Sequence, residues 1–309
     1  TVLILDWPNT ATANPSEWDA AMLALADAAQ ASGHKAIVLA TMPECMPAHA
    51  ISTCIKHGMV PMIGMDECLT ALNHAYSIGQ AFRADPPPAL HISTVHADGC
   101  APLSEADSKQ RLAQHGLPIP QGHTCTTLAQ AQQTAETLGY PVTLKAVGAE
   151  LAHKTELGAV KLNLKNPIQV EQAANELFAI SDTVLVEQMV QGVVAELIIG
   201  VNSDPLFGQY LVLGAGGILV ELLQDAQSLL LPLGKTQIKQ AVTSLKCAPL
   251  LMGYRGHHAA DIDAIVDAVM AVLDYSQHAA VYELDINPLL ALEHGAIAVD
   301  ALVQLGQRG

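Results

Sequence analysis

Four groups of residues could do chemistry, and each has a plain structural reading beside the chemical one. Val142-Thr143-Leu144-Lys145 is an apolar, strand-like run that ends on a lysine. An unpaired buried ammonium is costly, so Lys145 either faces an anion or reaches past the strand end to water. After it, a polar loop from Gly148 to Gly158 carries His153, Lys154 and Glu156. A neutral imidazole is a competent nucleophile toward phosphorus, and a neighbouring cation or hydroxyl would bind the transferred group. A loop histidine is equally at home on a surface.

The third group is Leu213-Gly214-Ala215-Gly216-Gly217-Ile218, set between two apolar runs. Its glycines either turn backbone N–H groups toward an anion or close a tight strand connection. It does not complete a dinucleotide fingerprint, because no helix opens after it. The fourth is Glu283-Leu284-Asp285-Ile286-Asn287-Pro288, with Asp300 on the last strand. Residues two apart on a strand share a face, so Glu283, Asp285 and Asn287 point one way. Such oxygen donors suit a hard cation such as Mg²⁺, although a solvated strand face alternates in the same manner. The apolar flanking strands favour the cation.

The elements that must position these groups fall into two styles. Up to residue 85, short apolar runs (Val2–Leu5, Ala36–Ala40, Met59–Ile63) alternate with helical patterns. Asn14-Pro15 opens the first helix and Gly33 closes it; the others are Ala48–Lys56 and Asp66–Ala81. A βαβαβα series requires a parallel sheet with crossover helices, here an incomplete doubly wound unit. The proline run Pro86-Pro87-Pro88 begins an interdomain linker, 86–103. Ser104-Glu105-Ala106-Asp107 then starts a helix with a capping box. From 104 to 309 the predicted order is mixed: helices to 115, 127–138, 168–179, 235–245 and 261–274. Strands are expected at 141–147, 183–190, 194–201, 209–213, 218–223, 226–231, 280–286, 289–293 and 296–301. That succession is α+β.

Composition excludes several classes. The chain has 309 residues with 30 acidic and 14 basic side chains, a formal charge of −16. Phosphate neutralisation needs clustered Lys and Arg, so nucleic acid is not the expected partner. Half the residues are apolar and 14% are charged, enough for a large core. The longest uncharged stretch, between Asp204 and Glu221, is broken by Pro205, Gly208, Gly214, Gly216 and Gly217, so no membrane span is expected. Six scattered cysteines without a CxxC pair, and no secretory leader, read as reduced thiols in a cytoplasmic protein. The start at Thr1, almost on a strand, reads as a piece of something longer.

Together, in this order, the motifs resemble the NDP-forming (ADP-forming) acyl-CoA synthetases, relatives of succinyl-CoA synthetase. The resemblance rests on Tyr140–Lys145, His153-Lys154-Thr155-Glu156-Leu157-Gly158 and Val184–Val190. It continues through Glu196 to Gly208, Gly214–Gly217, Gly253-Tyr254-Arg255-Gly256 and Glu283–Leu289. It implies an ATP-grasp domain over 104–309 and, for 1–85, a succinyl-CoA-ligase-like flavodoxin module with a parallel sheet. It implies ATP/ADP and Mg²⁺ as cofactors. Lys145 would contact the nucleotide phosphates. Glu187 would meet the adenine amino group, with the backbone of Gln188 to Val190 on the ring. Glu196, Gly216 and Gly217 complete the implied nucleotide contacts. Asn287 and Asp300 would hold Mg²⁺ with Asp285 close by, and His153 would relay a phosphoryl group to a second histidine.

The chain departs from the family at Thr155, Glu156 and Gly158-Ala159. Leu229 stands where relatives often carry an arginine. A CoA-binding module and the Ser-His-Thr-Gly segment are not found, so CoA would come through another domain or subunit of an oligomeric enzyme. Two other readings stay open: a degenerate nucleotide-sensing or scaffold module, and an ATP-grasp carboxylate–amine ligase that would not need His153.

Overall fold

Two compact units divide the chain, Thr1–Pro87 and Pro88–Gly309. The computed structural model describes residues 1–8, 13–83, 89, 95–148, 158–217, 225–256 and 258–308. In the first unit, β1 (Val2–Ile4), β2 (Ile37–Ala40) and β3 (Val60–Ile63) lie parallel in the order β1-β2-β3. Helices α1 (Ser16–Ser32), α2 (Ala48–Lys56) and α3 (Met65–Arg83) make the connections that parallel pairing demands. Asn14 Oδ1 accepts from the Ser16 N–H at 3.1 Å, and α1 stops at Gly33, whose φ of 71° is left-handed. Trp7, Met22, Val38, Ala50 and Cys54 form this unit's core.

Among its described residues the second unit holds two sheets. β5 (Gly122–Cys125), β6 (Val142–Ala146), β7 (Val160–Leu164) and β8 (Val184–Gln188) form an antiparallel sheet in the order β5-β8-β6-β7. Helices α5 (Leu128–Leu138) and α6 (Pro167–Phe178) pack against it, capped by Thr127 and Asn166. The larger sheet comprises β4 (Val95–Pro102), β9 (Val193–Asp204), β10 (Gly208–Ala215), β11 (Ala226–Leu230), β12 (Val281–Leu292), β13 (Ala296–Ala298) and β14 (Leu302–Arg308). Its order is β11-β10-β9-β12-β14-β4, with β13 paired to β12. Leu197, Ile199 and Val201 on β9, with Leu284 and Ile286 on β12, turn into the largest core. Helices α7 (Lys235–Ser244), α8 (Ala248–Leu251) and α9 (Ile262–His278) supply much of its opposite wall. A further helix, α4 (Glu105–Gln114), starts at Ser104, whose Oγ accepts from the Asp107 N–H.

The expected succession, a parallel-sheet unit and then a mixed α+β unit, is what the chain forms. Several elements differ in detail. Val95–Pro102, read as linker, is a strand paired with β14. The stretches 280–286 and 289–293 are one strand, with its register shifted between Ile286 and Leu289. Asp300 does not lie on the last strand but on the connection between β13 and β14. Strands β5, β7 and β14 were not foreseen, and α9 runs one turn further than expected, to His278. The strand expected at 218–223 lies outside the described residues. No helix among the described residues is long and apolar enough to cross a membrane.

Candidate functional site

Helix α4 turns an unusual stripe inward: Glu105, Ser108, Lys109 and Leu112, spaced as one helical face. Glu105 and Lys109 are 4% and 2% exposed, and they meet Lys145 of β6 and Glu187 of β8, at 6% and 4%. Lys145 Nζ donates to Glu105 Oε1 at 2.7 Å and lies 3.4 Å from Glu187 Oε2. Lys109 Nζ donates to the same Glu105 oxygen at 2.9 Å and to Glu187 Oε1. Two ammonium groups and two carboxylates thus cancel where the two sheets of this unit meet. Burial works against the Lys145 charge, yet Glu105, Glu187 and Asp300 outweigh it and hold its pKa above the usual lysine value. The strand lysine is therefore a fixed, buried cation, and the reading in which it reaches water is set aside.

One backbone residue links this cluster to the acidic group. The Val299 carbonyl accepts from Lys145 Nζ at 2.6 Å and from Lys109 Nζ at 3.2 Å. The Val299 N–H donates to the Pro288 carbonyl at 3.2 Å. Asp300 is thereby held beside the Asn287-Pro288 bend, with Asp285 two residues earlier on β12. Burial pushes the Asp285 carboxyl up to about 6, helped by the charges of Glu283 and Asp300. The Asp285 carboxylate makes no side-chain hydrogen bond or ion pair among the described residues. Carboxylates crowded until one resists ionisation, beside an amide oxygen, fit a hard divalent ion. Asp285, Asn287 and Asp300 are the residues that could hold it.

Across the β12–β9 register Asp285 faces Gly200, so the outward face of β9 continues from Asp285 through Gly200 and Ile198 toward Glu196. The glycine run folds back onto that glutamate. The Gly216 N–H donates to the Glu196 carbonyl at 2.7 Å. A Cβ at Gly216 would meet Glu196 backbone carbon at 2.9 Å. At Gly217, with φ +62°, it would meet Glu196 Oε2. Close approach to the strand backbone thus explains Gly216 and the left-handed φ explains Gly217, and both lie next to the predicted Glu196.

At the far end of β6 and β8, the N–H groups of Gln188 and Met189 are spent on the carbonyls of Gln121 and Pro141. The next donor along the chain is Val190. Thr143, on the Lys145 face of β6, donates to Met189 Sδ at 3.1 Å. A cleft of about 560 Å³ opens there, bordered by Tyr140, Pro141, Met189 and Gln191. Leu229 pairs with Leu211 across β10–β11 and packs on the large core.

Of the residues singled out from sequence, the structure brings together Lys145, Glu187, Asp300, Asp285 and Asn287, and separately Glu196 with Gly216 and Gly217. Gln188 and Val190 follow Glu187 in the chain and flank Met189, which borders the cleft. His153 lies outside the described residues. Glu105 and Lys109 were missed, since Glu105 reads as part of a cap. Their signal is two charges on the same helical stripe as Leu112.

Comparison with known families matches residues 94–305 to the ATP-grasp domain. The chain is 34% identical over 226 residues to the beta subunit of ADP-forming acetate–CoA ligase II of Pyrococcus furiosus, covering 69% of this chain and 96% of that protein. It is 33% identical over 209 residues to ADP-forming acetate–CoA ligase II of Archaeoglobus fulgidus, but this spans 67% of the chain and 31% of that longer protein. Among solved structures, a dinucleotide-forming acetyl-coenzyme A synthetase 1 of Candidatus Korarchaeum cryptofilum, in complex with coenzyme A and Ca-AMPCP, superposes with a TM-score of 0.63. Identity there is 30%, over 67% of this chain and 95% of that one.

Proposed function

This chain belongs to the ATP-grasp family of ADP-forming acyl-CoA ligases, and we propose that it grips Mg²⁺–ATP/ADP and passes a phosphoryl group to His153 within the reaction acid + CoA + ATP ⇌ acyl-CoA + ADP + phosphate. The observation that carries this reading is the Val299 bridge, which ties the Lys145 ammonium to the segment bearing Asp300, whose charge acts on both Lys145 and Asp285. Phosphoryl transfer is mostly positioning and charge stabilisation, and a cation fixed by Glu105 and Glu187 needs little reorganisation when phosphate oxygens arrive. Mg²⁺, when bound, neutralises charge developing on the transferred group. The Glu187 carboxylate is engaged by two lysines, so recognition of the adenine edge falls to the Gln188 carbonyl and the Val190 N–H. Pro141 and Met189 offer apolar surface to the ring. Glu196 lies within reach of the ribose side, with Gly216 and Gly217 allowing close approach.

CoA and acyl chemistry then belong to a CoA-binding domain or partner subunit, as the beta-subunit relatives suggest. Nothing observed favours the scaffold reading or the carboxylate–amine ligase. Calorimetric titration with Mg²⁺–ADP tests the proposal. Lys145→Met should weaken binding by on the order of 100-fold or more, the scale of truncating one partner of a buried, hydrogen-bonded charge pair between protein and ligand. Unchanged affinity would sink it. Labelling with γ-phosphate should give an acid-labile, base-stable phosphoprotein that His153→Ala abolishes while nucleotide still binds.

A further inference from the structure

A second cluster of ligating side chains lies away from the nucleotide group. His115 caps the C-terminal end of α4, its N–H returned to the carbonyls of Leu112 and Ala113. Asp274 and His278 stand one turn apart on the last turns of α9. His115 Nδ1 lies 2.7 Å from Asp274 Oδ2, while His278 Nδ1 donates to the Asp274 backbone carbonyl at 2.8 Å and lies 3.6 Å from Asp274 Oδ1. One ligand atom from each residue falls within 4.8 Å of the others. The Tyr275 ring meets the His115 ring edge-on at 5.2 Å and fixes its plane.

We propose that His115, Asp274 and His278 form a binding site for a divalent transition-metal ion of the zinc class. Two imidazoles and one carboxylate are a donor set for zinc rather than for Mg²⁺, which prefers oxygen alone. The contact between His115 and Asp274 has hydrogen-bond length, so the ion would replace the proton shared there, and His278 would exchange its hydrogen bond to the Asp274 carbonyl for the ion by a rotamer change. The backbone favours a cation at this place, because two helices end there and their last carbonyls carry partial negative charge. All three ligands are open to solvent, with side-chain exposures of 26%, 53% and 66%, so water completes the coordination. A cleft of about 360 Å³ adjoins the site, lined by Asp107, Arg111, His115 and Tyr275. The buried Tyr275 hydroxyl has no hydrogen-bond partner among the described residues. An ion here would clamp α4 to α9, and α4 is the helix whose other end carries Glu105 and Lys109.

The test uses the whole chain, stripped with a chelator and held in excess Mg²⁺ so that oxygen-only sites stay filled. Titration with Co²⁺ should give one equivalent of strong d–d absorption, and Zn²⁺ should displace it and raise the melting temperature. His278→Ala should weaken Zn²⁺ binding by at least the roughly 10–100-fold that loss of a supporting group costs. Circular dichroism checks that this exposed substitution leaves the fold intact; His115→Ala, which disturbs the Tyr275 contact, serves as the second variant. Equal Zn²⁺ affinity in the parent and His278→Ala, or a thermal shift that survives the substitution, overturns the site.

Discussion

Burial and the fields of Glu283 and Asp300 push the Asp285 carboxyl from 3.8 up to about 6, so ionising it without a bound cation costs free energy. The sign follows from linkage. Below the ordinary value Asp285 is protonated whether folded or unfolded, and no cost arises. As pH rises through the folded value the native state must give up a proton it holds more tightly than the unfolded chain does. The cost therefore grows between 3.8 and about 6 and stays constant above. The full displacement would amount to about 3 kcal/mol, which solvent at this half-buried group reduces to about 1–2 kcal/mol. Asp285→Asn should therefore stabilise the metal-free protein by that amount at pH 7, with the gain gone near pH 4. The same substitution should lose the stabilisation that Mg²⁺ gives the parent. Urea melts with and without Mg²⁺ check both; a destabilised Asn variant would mean that Asp285 is not a strained ligand. The alternation of Glu283, Asp285 and Asn287 was legible because a strand's two-residue period survives in sequence. Their link to Lys145 was not, because it passes through the backbone of Val299.

Helix α4 shows how an element can hide its role. Its capping Ser104 is plain in the sequence, yet the charges at 105 and 109 read as a solvated face until β6 and β8 supply Lys145 and Glu187. Removing one member of such a group leaves an uncompensated buried charge. Lys109→Met should cost about 3–5 kcal/mol of stability, since Glu105 and Glu187 would then share a single ammonium. Adding Glu105→Gln should recover part of that loss, and a double-mutant cycle from denaturant melts measures the coupling; additive losses would show that the lysine is merely packed. Strand legibility follows the same logic. Val142–Ala146 and Val184–Gln188 announce themselves by β-branched, apolar composition. Gly122–Cys125 reads Gly-His-Thr-Cys and exists because β8 pairs with it, a tertiary cause that local propensity does not carry. Val95–Pro102 and Leu302–Arg308 also depend on each other across the chain.

At the scale of the molecule, two units with separate cores were visible as a change of pattern from alternating β and α to mixed order. Charge adds a property that neither unit explains. The chain carries −16, while its proposed ligand is itself polyanionic, and the two buried lysines are neutralised by two buried carboxylates. The lysines thus attract at contact distance, whereas the long-range field repels. Screening reaches only about 10 Å at 0.1 M salt and about 30 Å at 0.01 M. Free ADP should therefore associate faster as ionic strength rises over that range, the reverse of what a basic, steering surface gives. Mg²⁺–ADP, with less charge, should respond less. Stopped-flow measurement with a fluorescent ADP analogue reads both rates. An on-rate that falls with salt would place a local positive approach path over the site, and the balance of Lys109, Lys145, Glu105 and Glu187 would no longer describe what the nucleotide meets.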